Sequence, residues 1–245
     1  MIKRIAPDVE IIDITHGIPP QHVLQGALVL ANTLPYMPLG VHVAIVDPGV
    51  GGDRKPVALA GRDGRLYVGP DNGVLVVAAD SLGGVERAVE IANTSYMLDS
   101  ISRTFHGRDI FSPASAHLAS GVALEELGPA LDPGSLVRLE LPAPEVGSAR
   151  IRATVLYVDR FGNIQLNLTS QELERVGIVP GAKVEIEIRF ERYYAVAART
   201  FADVRAGDIV VYEDAYGNVA LAINSGDAAG MFSARVGQEV LLSPA

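Results

Sequence analysis

The chain has no cysteine among its 245 residues, which excludes disulfides, thiolate metal sites and a cysteine nucleophile. It has little positive charge: 20 Lys and Arg stand against 29 Asp and Glu, for a formal net charge of −9, and the acidic residues are scattered rather than blocked. Binding nucleic acid requires a basic face to neutralise phosphates, so no nucleic-acid partner is expected. Long apolar runs are also missing. The longest stretch, Val23 to Val46, is interrupted by Gln25, Asn32, two prolines and His42, so no membrane span is expected. The opening M-I-K-R-I-A-P-D lacks the apolar core of a signal peptide, and a cytoplasmic protein is the expectation. There is no H-x-H, H-E-x-x-H or carboxylate cluster with metal-ligand spacing, no G-x-S-x-G elbow, no internal repeat and no low-complexity tract.

What is present divides in two. The first part alternates in a βα manner. Val9–Thr15 reads as a strand, Gln21–Leu34 as a buried helix, and Val41–Val46 as an apolar strand of the kind buried in a parallel sheet. Pro56–Ala60 and Leu66–Val68 flank Asp63-Gly64, a strong hairpin-turn signal, and Val85–Ile91 reads as a further strand. Ser112-Pro113 reads as an N-cap and first helical residue, opening a helix that ends near Gly121. Residues 129–148 are rich in Pro, Gly and Ser and form a connector. Beyond it, Ile151–Val158, Ile164–Leu168, Lys183–Phe190, Tyr194–Ala198, Ile209–Tyr212, Val219–Ile223 and Glu239–Leu242 read as strands, with one short helix at Gln171–Val176. Strands at this spacing make a small barrel or a sandwich. The expected organisation is an α/β domain over residues 1–140 and an all-β domain over 148–245.

Three stretches carry residues suited to chemistry. V-D-P-G-V-G-G-D-R-K-P, residues 46–56, puts Asp47 at the carboxyl end of a predicted buried strand, where open α/β sheets place ligands. It is neither a Walker loop nor a Rossmann fingerprint, and Asp47 can equally be a turn cap. T-F-H-G-R-D, residues 104–109, sets His106 near the start of a helix, where a plain loop histidine is the alternative reading. V-D-R-F-G-N-I, residues 158–164, offers an aromatic face at Phe161 and an amide at Asn163 able to pair with the N6–H and N7 edge of adenine. It is also ordinary hairpin-turn chemistry.

In this order, together with D-I-T-H-G-I-P-P, V-G-P-D-N-G and the terminal G-N-V-A-L-A-I-N, these stretches resemble the S-adenosylmethionine (SAM) hydroxide adenosyltransferases, whose halide-using relatives are fluorinase and chlorinase. The resemblance implies an α/β N-terminal domain with a largely parallel sheet, then a β-barrel-like domain. It implies hydrolysis of SAM to adenosine and L-methionine by water attacking the ribose C5′, with Asp47, Arg54 and His106 positioning and activating that water. Either Asp47 or His106 serves as the base. Phe105 and Gly107 match positions lining the C5′ pocket. Asn163, Phe161, Phe201, Asn224 and Ser225 match the adenine site, and Asp159 matches a residue facing the methionine amino group. Tyr216 and Gln21 stand where relatives carry an arginine and an aromatic residue.

The halide-using relatives lack the Asp and His, so water is the expected nucleophile. A halide-dependent 5′-halogenase and a non-catalytic adenosine- or SAM-binding module remain the alternatives. No cofactor is expected, since SAM is the substrate. The expected assembly is a homotrimer, with residues 47–107 of one chain and 159–225 of another forming each active site. Relatives also carry an upstream strand and T-D-F-G-type turn that grips the ribose; these residues are not in this sequence, which implies weakened SAM binding.

Overall fold

The protein is described here by a computed structural model covering residues 1–245, and it divides into two units, Met1–Leu139 and Glu140–Ala245. No helix is long and apolar enough to cross a membrane.

In the first unit the helices α1 (Ile2–Ile5) and α2 (Val23–Thr33) precede strand β1 (Val41–Val43). Then come β2 (Pro56–Gly61), β3 (Leu66–Pro70), α3 (Val76–Ser81), β4 (Val85–Glu90), α4 (Ser112–Ala119) and β5 (Ala130–Leu131). The strands form one sheet in the order β1-β3-β2-β4-β5. Only β1 and β3 run parallel; the β3–β2, β2–β4 and β4–β5 pairs are antiparallel. The sheet is therefore mixed and mostly antiparallel rather than largely parallel. The cause is local: a parallel neighbour needs a crossover of a dozen or more residues, whereas β2 and β3 are joined by the tight Asp63-Gly64 turn, with Gly64 at φ +88°. Buried residues pack both faces of the sheet. Leu30, Leu34, Leu59, Tyr67, Leu75 and Val85 fill one side, and Ala58, Val68, Ile91, Phe111 and Leu118 the other.

Two expectations fail at the level of single elements. Val9–Thr15 forms no strand, and Ile11, Ile12 and Ile14 are exposed. A β-branched sequence makes a strand only where a neighbour satisfies its backbone. The segment instead borders a cavity of about 1210 Å³ that is also lined by Val41–Pro48, Asp47 among them. Ser112 is not an N-cap either. The helix starts one turn earlier, because Gly107–Phe111 form a π turn continuous with α4, and the Ser112 hydroxyl donates to the Gly107 carbonyl at 2.7 Å.

The second unit comprises β6 (Glu145–Val146), β7 (Ile151–Val158), β8 (Ile164–Leu166), α5 (Ser170–Arg175), β9 (Lys183–Ile188) and β10 (Glu191–Ala197). It continues with β11 (Ile209–Glu213), β12 (Val219–Ile223), α6 (Ala228–Phe232) and β13 (Glu239–Pro244). The order β13-β9-β10-β11-β12-β8-β7 closes on itself through β13–β7, making a seven-stranded barrel with β6 appended to β7. Closure removes the open edges that invite association. Alternate residues such as Ile164, Leu166, Val211, Val219, Leu221 and Val240 fill the interior. On the outside, Ala198, Val210 and Ala222 form a separate small cluster under Phe201, Val204 and Tyr212.

Candidate active site

In the first unit, Asp47 follows β1 in a glycine-rich loop and Arg54 closes that loop just before β2. The loop is fastened to the segment leading to His106. Gly51 has φ +77°, and a Cβ there would lie 2.3 Å from the Arg103 carbonyl oxygen, so backbone meets backbone with no room for a side chain.

Arg54 joins the two other predicted residues. Its Nε lies 3.0 Å from each Asp47 carboxylate oxygen, its Nη2 2.5 Å from Oδ2, and the same Nη2 2.7 Å from His106 Nδ1. The Asp47 and Arg54 side chains are only 6% and 9% exposed, and the guanidinium carbon sits 5.3 Å from the centre of the Phe111 ring. A guanidinium has donors and no acceptor, so His106 Nδ1 must offer its lone pair. In this arrangement the imidazole is neutral and carries its proton on Nε2, the nitrogen turned away from Arg54.

His106 is placed by its neighbours. Asp109 is fully buried; its carboxylate accepts from Arg108 Nε at 2.6 Å and from the Ser102 backbone N–H at 2.8 Å, tying the preceding loop to the π turn. The Arg108 hydrogen bond, with Ser102 behind it, holds the Asp109 carboxyl down at about 2. Phe105 is half exposed beneath the Arg108 guanidinium, and a Cβ added at Gly107 would meet the Ile45 side chain at ordinary contact distance.

The remaining predicted residues lie in the second unit. Asp159 organises the β7–β8 turn: Oδ1 accepts from the Phe161 and Asn163 backbone N–H groups at 2.8 and 2.9 Å, and Oδ2 from Asn163 Nδ2 at 2.8 Å. Phe161 is exposed under the Arg160 guanidinium. Phe201 rests against Tyr212 with ring centres 4.9 Å apart. Asn224 Nδ2 holds the Phe201 turn by donating to the Phe201 and Val204 carbonyls at 3.0 Å each, and Ser225 Oγ donates to Asn224 Oδ1 at 3.2 Å. Tyr216, half exposed, sits in the β11–β12 turn.

Sequence reasoning missed three residues on this face: Gln165, Tyr212 and Asp214. Tyr157 pairs in register with Gln165, Gln165 with Ala220, and Ala220 with Tyr212, so the four form one row across the outside of the barrel. Burial pushes the Tyr212 hydroxyl up to about 12, helped by the negative charges of Asp159 and Asp214. The signal in the sequence was D-A-Y-G-N at 214–218, which repeats the pattern of D-R-F-G-N at 159–163.

The chain thus joins an α/β unit carrying a carboxylate–guanidinium–imidazole chain to a closed barrel bearing aromatic and amide groups. The SAM hydroxide adenosyltransferase N-terminal domain matches residues 1–128 and the corresponding C-terminal domain residues 153–241; the chain belongs to this family. It is 45% identical over 240 residues, 98% of this chain and 88% of the other, to a protein named (R)-S-adenosyl-L-methionine hydrolase from Salinispora tropica. It is 29% identical over 274 residues, 100% of this chain and 91% of the other, to a protein named fluorinase from Actinoplanes sp.. Among solved structures, an uncharacterized conserved protein from Thermotoga maritima superposes with a TM-score of 0.90 at 35% identity, covering 99% of this chain and 92% of that one.

Proposed function

We propose that the chain hydrolyses SAM to adenosine and L-methionine, with water attacking the ribose C5′. The observation that carries this reading is the single buried guanidinium shared by a carboxylate and an imidazole, in a chain far closer in sequence to named SAM hydrolases than to fluorinases.

Water attacks C5′ opposite the sulfonium, the C5′–S bond breaks with its electron pair moving to sulfur, and methionine leaves as a neutral thioether. The reaction releases one proton. A sulfonium is already a good leaving group, so the protein must orient the water and favour its hydroxide character. Arg54 contributes the positive charge. With its proton on Nε2, His106 donates a hydrogen bond to the incoming oxygen and has no free lone pair with which to act as base. Asp47, the remaining acceptor in the chain, takes the proton and passes it to solvent.

Phe105 and Gly107 border C5′. Asn163, Phe161, Phe201, Asn224 and Ser225 hold adenine, and Asp159 directs the lone pair left on Oδ2 toward the methionine amino group. The reading requires no cofactor. The assembly it favours is a homotrimer in which residues 47–107 of one protomer and 159–225 of a neighbour share a substrate.

Incubation with SAM, resolved by chromatography, is expected to yield equal adenosine and methionine, and neither from Arg54→Ala. Formation of 5′-chloro-5′-deoxyadenosine in chloride, in preference to adenosine, would replace this reading with halogenation. Calorimetric binding of adenosine with no loss of SAM would replace it with a binding module.

A further inference from the structure

The barrel contains the same turn twice. In Asp159–Asn163, the first residue's N–H donates to the last residue's carbonyl at 3.0 Å, and Gly162, at φ +84°, donates back to the Asp159 carbonyl at 3.1 Å. In Asp214–Asn218 the equivalent distances are 2.8 and 3.2 Å, with Gly217 at φ +80°. In both turns the aspartate Oδ1 accepts the N–H groups two and four residues on; for Asp214 these are Tyr216 at 2.8 Å and Asn218 at 3.0 Å.

The turns differ at Oδ2. Asp159 Oδ2 takes the amide nitrogen of Asn163 within its own turn, whereas Asp214 Oδ2 reaches across to the amide nitrogen of Gln165 at 2.5 Å. Carboxylates only accept, so each amide must turn its nitrogen to the aspartate and its oxygen away. Gln165 lies at the middle of β8, between the inward-facing Ile164 and Leu166, so its side chain is on the outside of the barrel. Its amide oxygen therefore has an orientation fixed by Asp214. Gln165 is 5% exposed, its Oε1 accepts no hydrogen bond within the chain, and in its row it stands between Tyr157 and Ala220, with Tyr212 beyond Ala220. The small Ala220 beside the Tyr212 ring leaves room for a flat ring next to the Gln165 amide.

We propose that Gln165, held by Asp214 as a positioning residue, accepts a hydrogen bond from the exocyclic amino group of the substrate's adenine and selects a 6-aminopurine over a 6-oxopurine. The inference rests on the adenine placement proposed above. A carbonyl at purine C6 would face the Gln165 amide oxygen and be repelled, while an amino group satisfies it.

The test uses binding of nucleosides that carry no sulfonium to displace, so it is independent of hydrolysis. Calorimetry compares adenosine with its 6-oxo counterpart, inosine, on the wild type, Gln165→Leu and Asp214→Asn. The wild type is expected to prefer adenosine by at least about 100-fold, and Gln165→Leu to narrow that ratio by about 10-fold. Asp214→Asn keeps the turn, because asparagine Oδ1 still accepts the two N–H groups. It replaces the Oδ2 acceptor with a donor, so Gln165 must rotate and present its nitrogen. That variant should shift the ratio toward the 6-oxo ligand by about 10-fold or more, a swing that general loss of structure would not produce. An unchanged ratio in both variants, whatever the loss of affinity, would overturn the proposal. A wild type that binds adenosine but does not convert SAM would refute hydrolysis and leave the selectivity to be read. A wild type that binds neither nucleoside would overturn the proposal.

Discussion

Replacing His106 separates a hydrogen-bond donor from a base. Its Nδ1 already accepts from Arg54 at 2.7 Å, which leaves one N–H, on Nε2, to act on the nucleophile. Losing one fixed donor to a developing anion costs roughly 100- to 1000-fold in turnover, about 2.7–4 kcal/mol. His106→Ala should fall in that range. It should fold, because Arg54 keeps its three contacts to Asp47. Glutamine at 106 offers a carbonyl to accept from Arg54 and an N–H to donate onward, but no nitrogen able to take a proton. His106→Gln is therefore expected to recover most of the lost rate, ending within about tenfold of wild type if the full donor term is restored. Single-turnover formation of adenosine from saturating SAM reads the chemical step directly. If His106→Gln is as slow as His106→Ala, the imidazole is the base and the proton route through Asp47 is wrong.

Other perturbations address the scaffold. Arg54→Ala strands the Asp47 carboxylate, only 6% exposed, without its cation, and should lower stability by about 3–5 kcal/mol in urea unfolding; a loss under 1 kcal/mol would show that water reaches the site freely. His42 lies on β1 beside Tyr67, and burial, then the Arg65 charge, lowers its pKa against a smaller opposing effect of Asp63. The unfolded chain thus binds a proton near pH 6.5 that the folded chain resists. Stability should fall as pH drops below about 6.5 and level off below the folded pKa, and His42→Leu should flatten that slope in urea midpoints between pH 7.5 and 5.5. Asp109, titrating at about 2, stays ionised throughout that window. The β9–β10 turn places Arg189 and Phe190 at φ +53° and +67°, with Phe190 98% exposed. Substituting Asn-Gly there should raise stability by about 1 kcal/mol, read as a higher Tm, because it relieves left-handed strain without removing packing.

The barrel was legible because its strands alternate, and each inward residue such as Ile164, Leu166, Val219 or Leu221 announces its own face. Sheet direction in the first unit was not. A resemblance pointed to parallel strands, while the Asp63-Gly64 turn, visible in the sequence, already required β2 and β3 to be antiparallel. Val9–Thr15 shows the limit of propensity, since pairing is a property of two segments and the sequence pattern describes one. The same limit hid Gln165. Its orientation depends on Asp214, 49 residues away, and no local pattern records that bond. The grouping of Asp47 and Arg54 with His106, 52 residues beyond Arg54, likewise came from family likeness rather than spacing.

Closure of the barrel imposes an order on synthesis. Every strand pairing in the first unit lies between residues 41 and 131, so that sheet can form while the rest of the chain is still being made. The barrel has no such option. Ile151 pairs with Leu242, and β9 also waits for β13, so two strands remain as bare edges until β13 has left the ribosome. Contacts this distant in sequence form slowly, and exposed edges in the interval invite neighbouring chains to pair. Strand β13, Glu239–Pro244, therefore acts as a clasp: its loss would leave a finished first unit attached to a sheet open on both sides.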